Sequence, residues 1–260
     1  MAKIGQAAAQ EFAFVANPRR ELAAQALQKT RSVLVASVMF AGLMGVAPVV
    51  ARAAEDFSAA ERALFIDNQL GTLRPPKTLH FTFSKRGTLE EGFDDTVDVL
   101  LKAKADGSCC AASARFLTGA RAMRQPDVEG AQGNPAILYF LERDINEMQR
   151  LTGGKANYFR QRIRMAVYQG ASIRTVTLQY RSRPVTVRQI DISPYLEDPN
   201  RPRFEKLASK RYSFMLSAGV PGGLYGIRTR IDGASAAAPA LMAEEMMLDG
   251  TQPAPDRRLP

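Results

Sequence analysis

Apolar side chains recur at every second position in several separate stretches of this chain, and over residues 134–169 the period lengthens to that of a helix. That pattern constrains the fold more than composition does. Strands with one apolar face must pair into a sheet, and the sheet's apolar face must then be covered. Leu79, Phe81 and Phe83 alternate with His80, Thr82 and Ser84, so this strand buries the phenylalanines and turns His80 to the other side. Runs at 96–104 and 109–117 are separated by Ala105-Asp106-Gly107-Ser108, where Asp-Gly predicts a tight hairpin between antiparallel neighbours. The two-residue period returns in Val176, Leu178 and Tyr180, and again in Val185, Val187, Ile190 and Ile192, around a turn at Arg181–Pro184. Tyr212–Leu216 and Leu224–Ile231, joined through Val220–Gly223, complete the strand pattern.

Asn134-Pro135 opens the helical region, with Asn as cap and Pro in the first turn, where its missing donor costs nothing. Leu138, Leu141, Ile145 and Met148 form its apolar stripe and Gly153-Gly154 ends it. A second helix is predicted over 157–169, with Phe159, Ile163, Ala166 and Val167 on one face. An earlier helix should start at Ser58, because Ser58 and Glu61 have capping-box spacing. The expectation is an α+β fold: a mostly antiparallel, strongly curved, half-barrel-like sheet of about seven strands covered by an inserted helix pair.

Upstream, Ser32–Val50 carries no charge, follows a basic flank and leads to Ala51-Arg52-Ala53. These are the parts of a secretory signal cleaved after Ala53. The alternative is an uncleaved anchor, since the run approaches the ~20 residues that span a bilayer. Residues 1–53 are therefore read as signal, 54–232 as one exported α+β domain, and the Ala/Pro-rich 233–260 as a disordered tail. Export implies a periplasmic protein; retention of the segment implies an inner-membrane anchor with a periplasmic domain.

One histidine and two cysteines leave too few ligands for a Cys/His metal cluster, and no metal or cofactor is expected. Cys109-Cys110 reads as two small strand residues whose sulfurs point to opposite faces. The chain carries 35 Lys+Arg against 26 Asp+Glu, a net +9. Between Arg150 and Ile190 there are eight arginines, Lys155 and no acid. On the second helix, Arg160, Arg162 and Arg164 flank Phe159 and Ile163, giving an apolar strip with cationic edges suited to an anionic headgroup or acidic partner. The competing expectation pairs these arginines with nearby acids such as Glu142, Asp144, Glu147 and Asp191. Nucleic acid is not an expected partner, because no basic motif interleaved with aromatics is present. The loop acids Glu90, Glu91, Asp94 and Asp95 are solvated turn residues in one reading and hydrolase carboxylates in the other.

The export signal, the opening strand from Leu79 to Gly87, the successive hairpins and Tyr212–Ser217 together resemble secreted β-rich proteins of proteobacteria. In outline they are similar to the periplasmic lipoprotein-carrier superfamily. That resemblance implies an antiparallel half-barrel around an apolar cavity covered by helices, and supplies no site residues. The function expected is that of a noncatalytic envelope protein binding an amphiphile or an anionic envelope partner. The alternatives are a structural or assembly factor of an envelope complex and an exported hydrolase.

Overall fold

Because the alternating segments bury only one face each, they pair side by side, and the computed structural model shows them as one open, curved sheet. It describes residues 57–104, 107, 109–235 and 237–252. The signal segment, its cleavage point and the residues after Gln252 lie outside the described residues. The strands are β1 (Lys77–Arg86), β2 (Phe93–Ala103), β3 (Cys109–Phe116), β4 (Met123–Arg124), β5 (Ser172–Tyr180), β6 (Arg183–Ile192), β7 (Arg211–Leu216), β8 (Leu224–Ile231) and β9 (Met242–Leu248). They run in the order β4-β3-β2-β1-β9-β8-β7-β6-β5, and all neighbours are antiparallel.

The sheet thus has nine strands where about seven were expected. The larger correction is β9. Residues 242–248 fall within the expected tail, yet they form a strand between β1 and β8. Met-Ala-Glu-Glu-Met-Met-Leu lacks β-branched residues and carries two acids, so propensity gives no strand signal. Its inward residues are buried all the same, Glu244 among them.

Among the described residues, three α-helices precede β5. The first, α1 (Ala59–Glu61), has the predicted capping box: Ser58 accepts from the Glu61 amide at 3.1 Å, and Glu61 accepts from the Ser58 amide at 2.9 Å. It widens at once into a π turn closed by the Asp67 amide on the Arg62 carbonyl. Helix α2 (Pro135–Thr152) is capped by Asn134 and ends at Gly153, whose φ of 68° suits a residue without a Cβ. Helix α3 (Ala156–Gln169) follows directly. Both cover one sheet face. Phe140 of α2 packs against Phe83 with ring centroids 6.3 Å apart, and Phe159 of α3 sits edge-on to Tyr195 at 5.7 Å.

Register explains what this face contains. One row runs Phe83–Met246–Ile227–Phe214–Ile190–Ile173 across six strands. Its first five members are fully buried, whereas Ile173 at the β5 edge is 41% exposed. A parallel row, Lys85–Glu244–Thr229–Tyr212–Ile192, puts polar groups on the same face.

The sheet curls at its β5 end. The tip of the β5–β6 hairpin reaches the chain leaving β9: Arg181 donates to the Gly250 carbonyl at 2.8 Å, Gln252 donates to the Gln179 carbonyl at 3.3 Å, and Tyr180 bridges Thr251. The Tyr225 hydroxyl, bonded to the carbonyls of Gln179 and Gln252, ties the two together. No helix among the described residues is long and apolar enough to cross a membrane.

Candidate functional site

Helix α3 carries the predicted arginines, but its apolar stripe is used inside the molecule. Phe159 and Ile163 are completely buried in the core. This corrects the expectation that they face a ligand: the sheet has an apolar face to cover, and the stripe of an amphipathic helix is what covers it. Arg160 grips Glu142 through two parallel bonds of 2.9 and 3.0 Å and also bonds Asn157. Arg162 lies 2.7 Å from Asp198. Arg164 is half-buried. Pairing extends outward, with Arg150 on Glu147 and Glu90, Arg174 on Asp191 at 3.5 Å, and Arg188 on Asp67 at 3.4 Å. Three of the four acids expected as partners, Glu142, Glu147 and Asp191, are so engaged.

An apolar strip with cationic edges exists on the other side of α3. Met165 and Tyr168, three residues apart and hence neighbours on the helix surface, are 40% and 43% exposed. Arg162 and Arg164 fall on either side of them at 100° per residue. A few residues on, the exposed Ile173 is the second residue of β5, and Ser58 donates to the Val167 carbonyl. This corner therefore joins the outer face of α3 to an edge strand. The sequence signal was the helical pair Met165/Tyr168, which lies opposite the stripe that the apolar periodicity selects.

The fourth expected acid, Asp144, belongs to a second cluster that the sequence did not suggest. It accepts from Lys210 and, at 2.6 Å, from the Tyr212 hydroxyl; Lys210 and Asp144 are completely buried. Arg143 meets Glu244 at 2.6 Å, and Thr229 donates to the same carboxylate at 3.2 Å. Lys85 bridges Glu147 and Glu90 at 2.7 and 2.6 Å. Four cations (Lys85, Arg143, Arg150, Lys210) thus face four anions (Glu90, Asp144, Glu147, Glu244) between α2 and the polar row of the sheet.

The electrostatics follow from this matching. Burial alone would raise the carboxyl pKa of Glu147, but hydrogen bonds from Arg150 and Lys85 hold it well below the ordinary carboxylate range. Glu244 is lowered likewise: burial opposes, and the charges of Arg143 and Lys210 prevail. Lys85 is raised, because bonds to Glu147 and Glu90 outweigh the burial that would lower it. Tyr212 is pushed well above its usual value by burial first and by the Asp144 charge second. These groups are fixed in single charge states at neutral pH and fully occupied with one another, which is the chemistry of a structural joint.

The loop acids are also engaged. Asp94 accepts two bonds from Arg86 at 2.6 and 2.7 Å, and Asp95 accepts from Thr118 and Arg121. Glu91 is exposed. His80 points outward as expected and bonds Asp98 at 2.7 Å. Cys109 and Cys110 are joined as an adjacent disulfide, so the reading of two independent strand residues is corrected: the pair leaves the regular alternation at the first residues of β3. Among the described residues no group of three or more His, Cys, Asp or Glu converges on one point.

No family model matches the chain, and no curated protein matches it. Among solved structures it is similar to a chain of the complex structure of Pseudomonas aeruginosa MucA/MucB, at 16% identity and a TM-score of 0.29. That match covers 73% of this chain and 57% of the other, so the chain spans little more than half of its neighbour's length.

Proposed function

We propose that the protein is a noncatalytic protein of the cell envelope, exported after cleavage near Ala53, whose work is to hold an anionic or amphiphilic envelope partner at the corner formed by α3 and the β5–β6 hairpin. One contrast supports this reading. The apolar stripe of α3 is spent in the core, whereas this corner leaves Met165, Tyr168 and Ile173 at the surface, with Arg162 and Arg164 flanking the helical pair. Apolar side chains next to guanidinium groups suit a partner with both apolar and anionic parts. The assembly-factor reading belongs to the same corner, and β5 as an edge strand favours it over a lipid ligand.

Native mass spectrometry of the protein drawn from the envelope fraction without detergent tests the proposal. A reproducible extra mass that departs on denaturation is expected, protein-sized for an assembly partner and lipid-sized for an amphiphile. A bare monomer in every such preparation would reject it. A denatured mass beginning at Ala54 checks cleavage, and the full-length mass would make the protein anchored.

A further inference from the structure

The chain leaving β9 is already in register with the outer edge of β5. Tyr180 faces Thr251 as an antiparallel bridge, flanked by the Arg181 amide on the Gly250 carbonyl at 2.8 Å and the Gln252 amide on the Gln179 carbonyl at 3.3 Å. The Tyr225 hydroxyl lies 2.8 and 2.9 Å from the carbonyls of Gln179 and Gln252 and holds the two side by side. The phase of β5 agrees from its other side. The hairpin turns through Arg181 and Ser182, both at positive φ (48° and 63°), so Tyr180 and Arg183 close a two-residue loop. Alternation then gives the backbone groups of Arg174, Val176 and Leu178 to β6 and turns those of Ile173, Thr175, Thr177 and Gln179 outward.

The sequence that follows Gln252 suits this phase. In a ladder carried on from Tyr180 and Thr251, Ala254 would come opposite Thr177 and Asp256 opposite Thr175, where an N–H is needed. Pro253 and Pro255 would come opposite Leu178 and Val176, at positions that use no N–H. A proline also drives the residue before it to extended backbone, here Gln252 and Ala254. Side chains alternate in step. The two prolines would share a face with Val176, Leu178 and Tyr180, three half-buried apolar residues packed against the core. Asp256 would share the face of Thr175 and its cross-strand partner Arg188. One residue further the fit ends, because Arg257 would stand opposite Arg174.

We infer that residues 253–256 are a strap on the edge of β5, a short tenth strand bonded through Ala254 to Thr177 and through Asp256 to Thr175, with Pro253 and Pro255 over Leu178 and Val176. The occupant is the chain's own end rather than another chain, because Gln252 is already bonded at this edge and delivers the next residue to it with no loop to close. The strap shuts the part of the edge nearest the hairpin tip against pairing with a second chain. It stops before Ile173, whose side chain is 41% exposed. The α3 corner is thereby left open, and the strap stands whether or not that corner holds a partner.

Residue-resolved amide hydrogen exchange of the purified full chain, set against the same chain ended at Gln252, tests the inference. The amides of Thr175 and Thr177 should be protected in the full chain and exchange about tenfold faster or more in the shortened one. Those of Arg174 and Val176, bonded to β6, should be unchanged and report that the hairpin is intact. Ala254→Pro removes the donor that faces Thr177 and should reproduce the loss in the full-length chain. Pro255→Ala, at a position that uses no donor, should keep the protection. Equal exchange of Thr175 and Thr177 in the full and shortened chains would overturn the inference, whether both are fast, which leaves the edge open, or both slow, which puts something else on it. Protection that grows with protein concentration would overturn it too, since the occupant would then be a second copy. These measurements involve no envelope component, so failure of the strap and failure of the partner reading are seen apart.

Discussion

Two regions of this molecule are rich in charge, and they differ in what surrounds it. Beneath α2, Lys85, Arg143, Asp144, Lys210 and Glu244 are buried against the polar row of β1, β9, β8 and β7, and Glu147, Glu90 and Arg150 lead from them to the surface, each of the eight at hydrogen-bonding distance from an opposite partner. At the α3 and β5–β6 corner the charge is mostly of one sign and lies at the surface, next to apolar side chains and a strand edge. Burial forces the first set to be complete, because an unmatched ion out of water is costly. In the second set Arg162, Arg174 and Arg188 also have acidic neighbours, but ion pairs in contact with water are weak and can be exchanged for a partner's charge. Density of charge therefore says little about function until it is known which charges the fold has already used.

The contrast breaks most visibly at Lys210. Lys210→Met leaves Asp144 buried beside Glu244 without its nearest cation and should cost about 3–5 kcal/mol in urea unfolding. Combining it with Asp144→Leu should return part of that loss, and neither change should alter binding of the envelope partner at the corner. Proton linkage gives the next effect. Since Glu147 and Glu244 are depressed in the folded state, their contribution is present above the unfolded range near about 4.3 and drains away as pH falls below it. Thermal melting should show a midpoint that drops through that acid window. Lys85, being raised, contributes fully below about 10.4 and loses its part as pH climbs through the raised value.

At the corner the signs reverse: binding moves and stability does not. Arg164→Gln with Arg174→Gln should weaken binding of the envelope partner about tenfold, or about 1.4 kcal/mol, while unfolding changes by only about 0.5 kcal/mol. The smallest effect belongs to Arg160→Ala, which removes the fork on Glu142. It should cost about 1 kcal/mol, less at high salt, and leave binding of the envelope partner unchanged. A large loss of binding there would move the site from the β5 edge to the inner flank of α3.

Seven strands and both long helices could be read from periodicity because their apolar residues fall on one face. Asp144 could have been found the same way: Leu141, Asp144, Ile145 and Met148 share one stripe, so the carboxylate stands where an apolar residue would. It reads instead as a surface partner of the arginines, because a charged residue is ordinarily taken as exposed. Glu244 was hidden by the same assumption, and with it β9, whose alternation of Met242, Glu244 and Met246 breaks only if the acid is denied a place inside. The arginines were legible as a cluster. Their partners come from elements far along the chain, Asp67 and Asp198 among them, which no local pattern brings together.

The place of β9 also sets the timing of folding. β1 to β4 can pair with one another as they emerge, and so can β5 to β8. The two groups share no ladder until Met242–Leu248 arrives and is received on both sides, with Phe81 against Leu248 on one and Ile231 against Met242 on the other. Without that segment the chain can form at most two half-sheets with facing raw margins, separated by the long stretch that carries α2 and α3. The seventh residue of a short methionine-rich segment completes the molecule, in the manner of a zipper pull that must travel the whole length before the garment closes.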